Sequence, residues 1–187
     1  YSLWRISELF MKFTKEDARK RVLNCAKQYQ QNLLHKKLLI IFRERQDNSI
    51  RFIGVIFHEK NYQHLTGLEL TNTEGKILQH QSKNFYRKCI ENKIGLNDVD
   101  KVMGGVNFCL GLSRENDVFV PSSALLEDIK KLTASPSHVL AIFEKDIDSE
   151  LYSTVKHVAK GLNLHHLILP PEINSKISLE HYVYRRK

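Results

Sequence analysis

The stretch that most narrows the folding options is "KLLIIFRERQDNSIRFIGVIF", Lys37 to Phe57. Two runs rich in Ile and Phe flank the polar "RQDN", and β-branched and aromatic residues broken by turn formers read as a β-hairpin. Just upstream, "TKEDARKRVLNCAKQYQQNLLHKK" from Thr14 opens with a Thr and two acids and ends in basic residues. Its apolar positions Ala18, Val22, Ala26, Tyr29 and Leu33 recur at helical spacing, so an N-capped amphipathic helix precedes the hairpin.

Further along, "SKNFYRKCIENK" predicts a short helix with Ser82 as its cap, and Leu96 to Met103 another, closed by Gly104 and Gly105. "VNFCLGLS" reads as a strand, "REND" as a turn and "VFVP" as the return strand, with Pro121 ending the pairing. "SSALLEDIKKLT" predicts a capped helix with Leu125, Leu126, Ile129 and Leu132 on one face. "SPSHVLAIFEK" reads as a strand, "SELYSTVKHVAKGL" as a helix closed by Gly161, and "LHHLILPP" as a last short strand. Neither the regular βαβ alternation nor the Gly-rich phosphate loop of a nucleotide-binding fold is present. The expectation is an α+β fold, a central antiparallel sheet with flanking helices. At 187 residues the chain fits one compact unit, an N-terminal helical segment over 1–36 packed on a domain over 37–187.

The apolar runs are far shorter than the roughly 20 residues a bilayer span needs, so no membrane helix is expected. The first stretch lacks an uninterrupted apolar region followed by a small-residue cleavage site. Cys25, Cys89 and Cys109 are widely spaced, with no CxxC pair, and read as buried thiols of a reducing cytoplasm. His165 and His166 have no Cys partner nearby, so neither a zinc site nor any cofactor is expected. Lys and Arg number 29 against 21 Asp and Glu, a formal charge of +8. That surplus concentrates polyanions near the surface and makes nucleic acid the leading partner class.

Chemistry gathers in "FHEKNYQHLTGL". A strand ending near Phe57 places His58, Lys60, Tyr62, His64 and Thr66 in the turns that follow, where side chains can converge. An imidazole titrating near neutrality can give or take a proton, and a neighbouring Lys or Arg can stabilise charge developing on phosphate oxygens. Those are the parts of a ribonuclease that uses the substrate's own 2'-hydroxyl as nucleophile. A single His beside Leu and Thr is also an ordinary core residue at a turn.

The series "FHEKNYQHLTGL", "NFYRKCIENKIGLNDV", "GGVNFCLGL", "VFVPSSALLEDIKKLT" and "HVLAIFEK", from about Leu38 to Leu162, resembles in order and spacing the phage-associated nuclease-like family PBECR4. The resemblance implies a compact α+β fold and metal-independent cleavage of RNA to a 2',3'-cyclic phosphate. His64 and Thr66 match the family's "HLTG" element and carry over as active-site candidates. Lys145, Ser122, Ser123 and Tyr86 match family positions without an assigned role.

Each has an ordinary reading as well: Tyr86 as an anchor of its helix, Ser122 as a helix N-cap, Lys145 as a lysine snorkelling from a strand end. If Ser122 caps a helix, the free N–H groups at 122–125 offer an anion site. The expectation is an endoribonuclease-like toxin or phage-encoded effector, with His64 as general acid or base, Thr66 orienting it or the phosphate, and Lys145 stabilising the transition state. Ser122, Ser123, Lys60 and Tyr86 are then substrate contacts, and RNA and an antitoxin or immunity protein the partners. The alternative is a nuclease-fold module that has lost catalysis and binds nucleic acid or a protein. "EKDIDSE", residues 144–150, approaches the acid clusters of metal-dependent nucleases but reads better as the cap of the following helix.

Overall fold

The computed structural model describes residues 24, 27–66, 99–125 and 127–183, with the backbone alone for Gln63, His64 and Thr66. The helix predicted at Ser82 lies outside these residues, and so do Cys25, Tyr86 and Cys89; of the segment predicted as a helix from Thr14, the described residues 24 and 27–32 are helical and 33–37 are not, since β1 has begun by Lys36.

The hairpin forms as read. Strands β1 (Lys36–Arg43) and β2 (Ile50–Ile56) pair antiparallel from Lys37 with Ile56 to Arg43 with Ile50. Asp47 closes the turn: its carboxylate accepts from Ser49 Oγ at 2.6 Å, from Ser49 N at 2.9 Å and from Arg51 Nη2 at 2.9 Å, and these bonds, the hydroxyl's first, hold its pKa down at about 2. Helix α1 (Glu59–Thr66) follows, then β3 (Lys101–Gly104), β4 (Cys109–Glu115), β5 (Val118–Leu125), the single turn α2 (Ile129–Leu132), β6 (His138–Asp146) and β7 (Thr154–Val158). A 3₁₀ turn at Leu164–His166 and α3 (Pro171–Asn174) complete the described chain. The strands form one seven-stranded sheet in the order β3-β4-β5-β2-β1-β6-β7.

The fold is α+β, but the sheet is mixed, correcting the antiparallel expectation: β2 and β5 run parallel, joined at Val55 and Phe119, while the other neighbours are antiparallel. Both faces of the central strands are covered, so their sequences are nearly continuous apolar runs. On one face Leu39, Ile41, Ala141 and Phe143 meet Tyr152, Leu164, Ile173 and Ile177 from the C-terminal segment. On the other, Ile40, Val55, Phe57 and Leu112 meet Tyr29 and Tyr62.

Four local readings are overturned. Residues 101–104 are strand and not helix, because β3 pairs with β4 through a turn so tight that a Cβ on Gly104 would lie 2.5 Å from Cys109 Cα. Pro121 does not end its strand. A bulge in the β4–β5 register, where Gly111 faces Ser123 and Leu112 faces Pro121, accommodates a residue with no N–H to donate, and β5 runs on to Leu125. "SELYSTVKHVAKGL" contains β7, since Thr154, Val155 and Val158 are β-branched and find an open edge of β6 to pair with; the acids before it therefore cap no helix, and Asp146 pairs instead with Lys36. "LHHLILPP" is not a strand. The Asn163 side chain caps the 3₁₀ turn by accepting from His165 N, and Pro171 begins α3. Gly161 takes a positive φ of 78° and turns the chain out of β7.

Burial raises the pKa of Tyr152 to about 12 and raises that of Tyr29 as well. The native state therefore keeps phenol protons that the unfolded chain, with tyrosines near pH 10, has released. This stabilisation is complete below about pH 10 and is lost as the pH climbs toward 12, so the urea midpoint should fall steeply over that interval. A midpoint that stays level from pH 10 to 12 would contradict the burial of these rings.

Candidate functional site

Helix α1 is fixed at its first turn. His58 N donates to Asn61 Oδ1 at 2.7 Å, and Asn61 Nδ2 donates across to the Pro121 carbonyl of β5 at 2.9 Å. Tyr29 Oη donates to the His58 carbonyl at 2.8 Å, and the Tyr29 and Tyr62 rings meet at a tilt of 60° with centroids 5.0 Å apart. Asn61 and Tyr62 are thereby buried, at 5% and 2% exposure, which a strand-end turn would not achieve. Residues 59–66, expected in that turn, are a helix lying on the Tyr29 face of the sheet. His64 and Thr66 occupy its last turn, and their side chains are outside the described residues.

The other expected members separate. Lys60 Nζ sits 2.9 Å from Glu115 Oε1 in an exposed ion pair that ties α1 to the end of β4. Ser122 and Ser123 belong to β5 and not to a helix, so the anion site imagined at 122–125 does not exist; the capped turn is α2, where Asp128 accepts from Lys130 N. The two serines do lie beside α1, next to the Pro121 carbonyl that Asn61 holds. Ser123 is buried and the buried Ser122 Oγ has no hydrogen-bond partner among the described residues.

Lys145 lies apart from α1. Along β6, side chains alternate, and Lys145 faces the same way as Phe143 and Ala141, away from α1. Its ammonium donates to the Glu150 carbonyl at 3.0 Å and to the Ser149 carbonyl, and lies 5.1 Å from the centre of the Tyr152 ring. Burial, reinforced by Lys37, lowers its pKa, but those bonds make it a clamp on the loop after β6. Lys145→Met should leave any RNA cleavage unchanged while reducing unfolding free energy by about 1–2 kcal/mol, the worth of charge-assisted hydrogen bonds; lost cleavage in a folded variant would restore Lys145 to the site.

The adjacent residue, which the sequence reading passed over, faces the α1 side. Glu144 pairs with Leu38 across β1, is 8% exposed, and has Lys156 Nζ 3.1 Å from its Oε2. The same face carries a groove of about 660 Å³. Its apolar floor includes Ile40, Ile53, Leu112 and Val139, and its walls carry Glu44, Asp100, Lys101, His138 and His157. Strand periodicity could have flagged Glu144 against its apolar neighbours. No local signal could have joined the groove residues, which come from β1, β2, β3, β4, β6, β7 and α2.

Cys109 fits the buried-thiol reading: it is fully buried, its sulfur is 3.3 Å from the Glu127 carbonyl, and burial raises its pKa. Among the described residues no three His, Cys, Asp or Glu gather where a metal ion could be held, and no helix is long and apolar enough to cross a membrane.

The elements define an α+β protein, and comparison with known proteins adds a likeness to nucleases over part of the chain. Residues 21–105, somewhat under half of the chain, match the model of the family PBECR4, described as "phage-Barnase-EndoU-ColicinE5/D-RelE like nuclease4", which is the family the motif series resembles. No curated protein and no solved structure matches the chain. The match takes in β1, β2, α1 and β3, and with them Lys60, His64, Thr66 and Tyr86. It stops short of Ser122, Ser123 and Lys145, so the resemblance is narrower than the expected span to Leu162.

Proposed function

We propose that this protein is a metal-independent endoribonuclease, a toxin or phage-encoded effector acting in the cytoplasm. The observation that carries the reading is the nuclease-family match across the α1 stretch with His64 and Thr66; the +8 charge supports it. In the reaction the substrate's 2'-oxygen attacks phosphorus while its proton passes to a general base. The bond from phosphorus to the 5'-oxygen breaks, and a general acid protonates that leaving oxygen, so the product ends are a 2',3'-cyclic phosphate and a 5'-hydroxyl. His64 serves as one of these proton-transfer groups and Thr66 orients it or the phosphate. Lys60, Tyr86, Ser122 and Ser123 remain proposed substrate contacts, and Lys145 leaves the scheme. A cognate antitoxin or immunity protein would restrain such an activity. The purified protein should cut RNA with EDTA present and leave cyclic phosphate ends; cutting that stops on chelation and returns with a divalent metal would remove the mechanism.

One observation favours a second reading, a nuclease-fold module that binds without cutting. The cations expected to serve the phosphate are already engaged, Lys60 with Glu115 and Lys145 with its loop carbonyls. Tight RNA binding with no cleavage of any RNA tested would select that reading.

A further inference from the structure

We propose that the 660 Å³ groove on the sheet face that carries α1 is a nucleotide subsite for an RNA strand, with a base on its apolar floor and the flanking phosphates met by Lys101 at one wall and His157 at the other. This deepens the endoribonuclease reading and rests on it for the choice of RNA. Three observations carry it. The volume falls within the roughly 300–1,000 Å³ typical of small-ligand clefts, and an apolar floor is bordered by polar groups at the margin. The acids on the wall are already satisfied: Asp100 accepts from Arg114 N at 2.6 Å and Glu44 from Ser137 Oγ at 2.7 Å.

The basic groups are not. Among the described residues His157 has no hydrogen-bond or ionic partner, and Lys101 has only the Phe119 ring, 5.9 Å from its ammonium. Both are exposed, on the strands at the two opposite edges of the sheet, β3 and β7. A chain that keeps its acids paired and its bases free around an apolar floor presents the complement of a nucleotide, which has a flat ring and an anionic phosphate.

The floor faces the same way as the Tyr29–Tyr62 packing that seats α1, since Ile40 and Leu112 belong both to the groove and to that cluster. A strand lying in the groove would therefore share a sheet face with the helix carrying His64, whereas the face of Lys145 is closed by the C-terminal segment.

The test uses the full chain and an RNA tetranucleotide with 2'-O-methyl groups, which cannot be cut by 2'-hydroxyl attack. Lys101→Ala with His157→Ala, two exposed positions, should weaken its binding about tenfold and lower the dependence of log Kd on log salt by about one ion per phosphate contact. Lys160→Ala, exposed and outside the groove, is the control and should change Kd by less than about twofold. In cleavage of natural RNA the double variant should raise KM more than it lowers kcat. Unchanged tetranucleotide binding in the double variant, or a loss equal to that of the control, overturns the subsite. RNA cleavage by a wild type whose groove variants keep KM leaves the endoribonuclease reading standing and removes the groove; groove-dependent binding without cleavage does the reverse.

Discussion

His64→Ala should reduce RNA cleavage by about 10²–10⁴-fold, the usual worth of a positioned proton-transfer group, while leaving RNA affinity and its salt dependence nearly unchanged. The two effects separate because affinity is dominated by phosphate contacts with released counterions, and one neutral-to-cationic imidazole contributes little to that sum. The position suits the experiment. His64 lies in the last turn of α1, whereas the bonds that seat the helix come from His58 and Asn61 at its start and from Tyr62. Cleavage by the alanine variant at the wild-type rate would remove His64 from the reaction. Equal loss of cleavage and of binding would identify a contact residue and not a proton-transfer group.

The largest effect on stability is expected at the opposite face. Phe143 is fully buried in the cluster that joins β1 and β6 to Tyr152 and the C-terminal segment. Phe143→Ala removes most of an aromatic side chain from a packed interior and leaves a cavity its neighbours cannot fill, a cost of about 3–5 kcal/mol. Urea unfolding monitored by circular dichroism measures it directly. A change below about 1 kcal/mol would mean that this face is loosely packed and that the C-terminal segment does not close it.

The two substitutions divide the protein by sheet face, and much of that division was readable in the residues. "KLLIIF" and "RFIGVIF" carry enough β-branched and aromatic residues to be strands in almost any setting, and "RQDN" contains the Asp47 that closes the turn. "HVLAIFEK" was equally plain. Shorter segments were ambiguous for a physical reason. "LYSTVKHVAKGL" places Leu151, Val155, Val158 and Leu162 at helical spacing, yet Thr154, Val155 and Val158 are also good strand residues, and the open edge of β6 settled the matter. The serines after Pro121 look like a helix cap until β4 offers hydrogen bonds beyond the proline.

For the candidate site, the residues of "FHEKNYQHLTGL" were singled out by their chemistry, and the family match falls on them. Their neighbours were misjudged. Lys145 was placed with Phe143 and Ala141, which is correct, but that face is covered by the C-terminal segment and not by α1.

What the sequence by itself determined is the set of strands with strong local preference, the basic surplus and the motif that carries the nuclease likeness, all of which depend on residues close together in the chain. Only the tertiary structure decided which face of β6 meets α1, that Glu144 and not Lys145 is turned to it, that β2 and β5 run parallel, and that residues of six strands and α2 line one groove. Alternation along a strand states which residues share a face, but the face each set occupies depends on what packs against it, and those partners arrive from up to a hundred or so residues away: Leu38 beside Glu144, Asn61 beside Pro121.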